Sequence, residues 1–283
     1  MKIEILKKDL VSLIVKTQNI AEKKNNMPVL VNILIEAGDN VATVYATDLE
    51  VSLTNTVPAK TLQPGKVVVN SRSLNDIVRE LNEDVITLTK KENHWLEIHQ
   101  RKYASKIVGI NPEEYPVFPV YSGDKFTTFD TSTLKEMIDK TIFSVSTDET
   151  RYHLNGIFFD QMMEGEKAIH RMVATDGHRL SVVQKPTESS SVSLTNEGVI
   201  IPRKGINEIR KMLDMSSGKI DLAVDGPQII AKNESTILMV RLIEAKYPNY
   251  QRLIPEVNKY RITFQREEFL GSLKRVALLA NQK

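Results

Sequence analysis

The chain has 283 residues, with 38 basic against 36 acidic side chains and no cysteine. That length exceeds one small core and suits two domains or more. A net charge of +2 argues against a protein that grips DNA by blanketing its phosphates, and the missing cysteine removes disulfides, thiol nucleophiles and Cys-based zinc sites. No run approaches the roughly eighteen apolar residues of a membrane span, and MKIEILKKDL lacks the apolar stretch of a signal peptide. A cytoplasmic protein with no membrane partner is expected.

In chain order, five stretches carry apolar residues at helical spacing, each opening near a polar cap. They begin near Lys8 (KDLVSLIVKTQNI), Ser71 (SRSLNDIVREL), Thr131 (TSTLKEMIDKTIF), Arg203 (RKGINEIRKML) and Gln265 (QREEFLGSLKRVALL), 63, 60, 72 and 62 residues apart. Between them lie alternating or β-branched runs that predict strands: KVVVNS at 66–71, DVITLTK at 84–90, HWLEIHQ at 94–100, KIDLAVD at 219–225 and STILMVRLI at 235–243. KYRITFQ at 259–265 reads as a further strand, and KPTESSSVSLTNEG at 185–198 as a loop. The unit is one helix followed by several strands, which predicts an α+β fold with helices on one face of antiparallel sheets.

A longer period lies over the first. VNILIEA at 31–37 matches LNGIFFD at 154–160, and VYATDLEVSL at 44–53 matches MVATDGHRLSVV at 172–183. VVVNSRSLNDIVREL at 67–81 matches VIIPRKGINEIRKML at 199–213, and EEYPVFP at 113–119 matches EAKYPNYQRLIP at 244–255. The offsets are 123, 128, 132 and about 132 residues. Two homologous domains, 1–122 and 123–253, are therefore expected, each of two half-repeats and joined near Tyr121–Lys125. Residues 254–283 open a third copy, which is expected to be incomplete because one helix and one strand cannot bury a core.

The segments ATDGHRLSVV at 174–183, RYHLNGIFF at 151–159, VIIPRKGINEIRKML and YPNYQRLIP at 247–255 resemble the β subunit of bacterial DNA polymerase III, the sliding clamp. The resemblance runs from Met1 to Lys283. It implies a DNA-clamp fold and a non-enzymatic processivity factor without cofactors. Family members have three domains per chain and close head to tail as homodimers into a ring. That ring encircles duplex DNA without sequence preference and docks the polymerase III catalytic subunit, the clamp loader and repair proteins.

The helices would line the hole. In the second, Leu74, Ile77, Val78 and Leu81 form the buried face, leaving Arg72, Asn75 and Arg79 outward. In the fourth, Ile206, Ile209, Met212 and Leu213 are buried, leaving Arg203, Asn207 and Arg210 outward with Lys204 and Lys211 nearby. An ordinary solvated face is the alternative; recurrence in two related helices favours DNA contact. The resemblance adds Lys23, Lys24 and Tyr152–His153 at the rim, although Asp148 and Glu149 oppose phosphate contact there. It also implies a partner-peptide pocket at Arg151, Leu154, Thr175, Gly177, His178, Arg179, Leu180, Pro248, Arg252 and Leu253. Leu154 and Leu180 suit a simple core equally well. A ring interface is implied at KYASKIVGI, 102–110, with Lys106 and Ile107, and at Leu278 and Leu279. A repeat-built interaction protein that never encircles DNA is the alternative for the whole chain.

Catalytic motifs are lacking: there is no HExxH, nucleophile elbow, P-loop or dinucleotide fingerprint. His94 and His99, read as strand residues at odd spacing, would face opposite ways. Asp48 and Asp176 occupy equivalent ATD positions, which suits a turn-capping role better than catalysis.

Overall fold

The computed structural model describes residues 1–21, 27–82, 84–122, 126–164, 167–186, 198–216, 218–255 and 257–280, without the side chains of 163, 164 and 167. Met1–Tyr247 forms one compact unit and Pro248–Lys283 a second.

The first unit runs β1 (Lys2–Leu6), α1 (Lys7–Thr17), β2 (Asn32–Gly38), β3 (Val41–Thr47), β4 (Val51–Pro58), β5 (Lys60–Gln63), β6 (Gly65–Asn70), α2 (Ser71–Glu80), β7 (Val85–Lys90), β8 (Leu96–Gln100), β9 (Tyr103–Ile107) and β10 (Gly109–Ile110). It repeats the order with β11 (Thr127–Asp130), α3 (Thr131–Asp139), β12 (Gly156–Glu164), β13 (Lys167–Thr175), β14 (Leu180–Pro186), β15 (Val199–Pro202), α4 (Arg203–Asp214), β16 (Lys219–Asp225), β17 (Gln228–Lys232) and β18 (Thr236–Arg241). Apart from the short β5 and β10, the second half repeats the first element for element.

Local chemistry sets the helix ends. Asn70 caps α2 by accepting from the Ser73 amide at 3.0 Å, and Asp130 caps α3 by accepting from the Thr133 amide at 2.9 Å. The third helix stops at Asp139, short of the expected 143, because Thr141 turns its hydroxyl back onto the Met137 carbonyl at 2.8 Å.

Every neighbouring strand pair is antiparallel, in sheets ordered β5-β1-β7-β8-β9, β10-β6-β2-β3-β4-β18-β17-β16-β11 and β14-β13-β12-β15. The nine-stranded sheet is continuous across the two repeats because β4 pairs with β18, Leu53 opposite Leu238 and Asn55 opposite Thr236. α1 packs on β4, and α4 packs so closely on β18 that a Cβ at Gly205 would lie 2.1 Å from Val240 Cγ1. Both helices cover the same face at this seam. On the opposite face, Phe118, Tyr121 and Phe126 pack over Ala223, Ile230 and Met239.

The strand registers refine the repeat. β2 pairs with β3 through Leu34 and Tyr45, and β12 with β13 through Phe158 and Val173. With β3 and β13 offset by 128, β2 and β12 are therefore offset by 124, not 123. A one-residue slip in a strand exchanges its two faces. At 124 the fully buried Ile33 and Ile35 fall on the fully buried Ile157 and Phe159.

Three further expectations are corrected. Asn75 is buried inside α2's packed face, so of the three residues expected outward only Arg72 and Arg79 are exposed, beside Ser73, Asp76 and Glu80. His94 lies in the β7–β8 turn at φ +64°, off the strand that carries His99. Residues 259–265 form no strand: Tyr260, Ile262 and Phe264 are exposed and no neighbouring strand supplies a ladder.

In the second unit, a short 3-10 turn covers Tyr250–Leu253 and α5 covers Arg266–Ala277. α5 has no buried residue, and Phe264 stacks on Phe269 at 4.4 Å. Residues 123–125 of the expected joint and 187–197 of the expected loop lie outside the described residues.

Candidate functional site

The most built-up surface lies around the ATD turn at Thr175–Leu180. Thr175 Oγ1 accepts from the Gly177 amide at 3.0 Å and donates to the Arg179 carbonyl at 2.7 Å. Asp176 Oδ1 accepts from the amides of His178 at 2.9 Å and Arg179 at 3.0 Å, while Oδ2 accepts from Arg179 Nε at 2.9 Å. The His178 amide, then Arg179, hold the Asp176 carboxyl down to about 2, so it stays ionised at any ordinary pH. Gly177 is at φ +89°, and a Cβ there would lie 2.7 Å from Arg151 Nη1. Glycine suits the left-handed backbone, and a side chain there would push the Arg151 guanidinium aside.

Arg151 itself is fixed by Asp148, whose Oδ2 accepts from its Nε at 3.0 Å. Beside them opens a cavity of about 340 Å³ lined by Phe143, Asp148, Arg151, His178, Arg179 and Arg203, among others. The Arg179 guanidinium stands 5.8 Å from the centre of the exposed Phe143 ring.

Of the ten residues assigned to a partner pocket, the first unit carries seven. Arg151, His178 and Arg179 line the cavity. Thr175 and Gly177 frame the turn, Leu180 is half-buried and Leu154 is buried. The cavity is thus charged and aromatic, without the two leucines in its lining. Pro248, Arg252 and Leu253 belong to the second unit and are exposed there. Phe143 is not legible as a site residue in the sequence, because helical spacing places it in a helix that ends earlier, at Asp139. The one available signal was its place past Thr141, a residue that ends the helix by bonding backward.

Of the eight residues assigned to face DNA, three are held by carboxylates. Arg72 lies 3.8 Å from Asp76, Lys204 Nζ 2.5 Å from Asp48 Oδ2, and Arg210 Nε 2.5 Å from Asp139. Arg79 is exposed with no ion pair among the described residues, and Arg203 lines the cavity above. Tyr152 is exposed, edge-on to His153; Lys23 and Lys24 lie outside the described residues.

Of the residues assigned to a ring interface, Lys106 and Ile107 are on β9, at the edge of the five-stranded sheet. Lys106 bonds Glu97 at 2.9 Å and Ile107 is buried. Lys91, Lys106 and His99 all reach Glu97, and its carboxyl is held down to about 2 by Lys91 first. Leu278 and Leu279, in the second unit, are almost fully exposed.

Among the described residues no group of three or more His, Asp or Glu side chains is disposed to hold a metal, and no helix is long and apolar enough to cross a membrane. Asp48 and Asp176 both cap turns, as their repeat positions imply.

Two tandem helix-and-sheet repeats fused through one sheet define the class. Residues 1–119 match the family described as DNA polymerase III beta subunit, N-terminal domain, and 128–249 match its central domain. The beta sliding clamp of Caulobacter vibrioides (strain NA1000 / CB15N) is 30% identical over 285 residues, covering all of this chain and 76% of that protein. That of Halalkalibacterium halodurans is 30% identical over 267 residues, covering 92% and 69%. The solved structure of Caulobacter crescentus pol III beta superposes with a TM-score of 0.92 at 30% identity, covering 99% of this chain and 76% of that one.

The chain belongs to the DNA polymerase III beta subunit family, the beta sliding clamps. It is accordingly a processivity factor of the replicative polymerase, in a family of non-catalytic proteins that bind DNA, polymerase and other proteins.

Proposed function

We propose that this chain works by topology: it contributes an arc to a ring around duplex DNA, slides without reading sequence, and performs no chemistry of its own. The observation that carries this reading is the β4–β18 seam, which fuses two repeats into one sheet with helices side by side on one face. The pairing of Arg72, Lys204 and Arg210 with carboxylates supports it further, because a weakly basic surface slides where a strongly basic one would stick. The DNA-facing set is Lys23, Lys24, Arg72, Arg79, Tyr152, Arg203, Lys204 and Arg210, with Arg79 and Arg203 the strongest contributors.

The domains are 1–122, 123–253 and 254–283, and the protein acts in the cytoplasm. Partner proteins, among them the polymerase catalytic subunit and the clamp loader, dock short peptides at Arg151, Leu154, Thr175, Gly177, His178, Arg179 and Leu180. Pro248, Arg252 and Leu253 enter that site from the family resemblance alone. Two copies close head to tail through the β9 edge, with Lys106 and Ile107, and through Leu278 and Leu279.

Loading by a clamp loader onto nicked circular DNA, followed by gel filtration, tests the topology. Retention that disappears when the circle is cut supports it. Equal retention on circular and linear DNA, falling steeply with salt, would show a basic surface binder instead. Failure to load while still capturing partner peptides would show an interaction module that does not encircle DNA.

A further inference from the structure

The β4–β18 seam holds a second feature, which is partly open to solvent. Between α1 and α4 lies a cavity of about 80 Å³, floored by Leu53 and Leu238 and walled by Met212 and Met215. Three charged side chains reach its lining: Lys16, Glu208 and Lys211. Glu208 and Lys211 neutralise one another at 2.6 Å. Lys16 has no carboxylate partner among the described residues. Its Nζ donates to Asn55 Oδ1 at 3.2 Å and Thr236 Oγ1 at 2.9 Å, both neutral and both buried. Among the described residues one positive charge is left without a carboxylate, at the wall of a cavity with an apolar floor and with Asn19, Asn233 and Thr236 also in its lining.

The repeat makes the missing counter-ion specific to this place. Leu10, Leu13, Ile14 and Thr17 of α1 correspond to Leu134, Met137, Ile138 and Thr141 of α3, so Lys16 corresponds to Lys140 and Ser12 to Glu136. Lys140 pairs with Glu136 one turn back; Lys16 faces a serine at that spacing. A half-buried ammonium with two neutral acceptors still has an N–H to give and a desolvation cost to recover. That cost acts on Lys16, whose amine is pushed below its ordinary value by burial.

We propose that this cavity binds a small aliphatic carboxylate, its carboxylate paired with Lys16 and its alkyl chain against Leu53, Leu238, Met212 and Met215. At roughly half the volume of a cavity that takes benzene, it holds the carboxylate end of a short chain, whose remainder lies along the exposed Met215. An apolar floor selects against a bare inorganic anion, and the unpaired ammonium selects against a neutral alcohol.

The test is titration of the whole 283-residue protein with butyrate, read by the methyl resonances of carbon-13-labelled methionine. Met212 and Met215 shift saturably in the millimolar range, and the Lys16 amine, followed by its Cε resonance, titrates at higher pH when butyrate is bound. Lys16→Gln weakens binding about tenfold or more, while Lys140→Gln leaves it unchanged. Butan-1-ol and inorganic phosphate serve as the neutral and the bare-anion probes. Shifts that stay linear with butyrate, equal saturation by butan-1-ol or phosphate, or an unmoved Lys16 titration each overturn the proposal. The last measurement needs no variant and stands even where Lys16→Gln fails to fold.

Discussion

The turn from Thr47 to Ser52 and the turn from Thr175 to Leu180 share the same hydrogen bonds. In each, the threonine hydroxyl accepts the amide two residues on, Leu49 or Gly177. In each, the aspartate Oδ1 accepts the next two amides, Glu50 and Val51 or His178 and Arg179. The uses differ. The first turn buries Val51 in the core and spends Asp48 Oδ2 on Lys204; the second exposes Arg179 over Phe143 beside a charged cavity. Thr and Asp build the frame by local bonds, so the side chains after the aspartate are free to specialise. The tyrosines at the end of each repeat behave the same way. Tyr115 donates to the Tyr45 carbonyl at 3.2 Å and Tyr247 to the equivalent Val173 carbonyl at 3.5 Å.

The largest expected asymmetry between the halves is acid sensitivity. His170, buried against Phe129 and Phe159, is pushed down by desolvation from 6.5 to about 4, and the equivalent residue in β3 is Ala42. A depressed histidine takes up its proton more readily when unfolded. Stability is therefore full above pH 6.5 and falls as pH drops toward 4, by about 3 kcal/mol in all. Urea unfolding across that range should show the slope, and His170→Gln should remove most of it.

Cap removal comes next. Asp48→Ala should cost about 2–3 kcal/mol, since two amides and Lys204 lose a partner in a nearly buried place, against about 1–2 for Asp176→Ala. Equal losses by thermal melting would mean that the Lys204 contact contributes no more than the exposed Arg179 contact to Asp176.

A smaller effect tests the left-handed position both turns share. Leu49 holds φ +77° where its counterpart is glycine at +89°. Leu49→Gly should stabilise by about 1 kcal/mol, and Gly177→Ala should destabilise by about 1–2 while displacing Arg151. A Gly177→Ala protein that melts unchanged would remove the steric case for that glycine. Smallest in stability, Arg179→Ala should move unfolding by less than about 0.5 kcal/mol yet weaken peptide capture about tenfold, as measured by fluorescence anisotropy. An unchanged anisotropy curve would take Arg179 out of the proposed site.

Much of this architecture is legible along the chain. All five helices begin within a residue or so of where their caps and spacing put them, and the doubled ATD turn announces the repeat. The misses share one cause, the need for a partner distant in sequence. Asn75 reads as outward by helical spacing, but the packing of α2 encloses it. Residues 259–265 alternate like a strand without a neighbour to pair with. The candidate site was legible as a segment, through Gly177 and Arg179, but Phe143 was not, because its helix ends on a back-bonded threonine.

By itself the sequence determined the local frame: where helices start, which turn recurs, and that two homologous units follow one another. Those outcomes depend on spacing, caps and short-range hydrogen bonds, all contained within a few residues. Only the tertiary structure decided which charges are free. Lys204 meets Asp48 from the other repeat, Arg210 meets Asp139 from a neighbouring helix, and Lys16 meets no carboxylate among the described residues. An ion pair depends on distance in space, and the fold brings together residues that the chain holds about 156 and 71 positions apart, a separation no local pattern records.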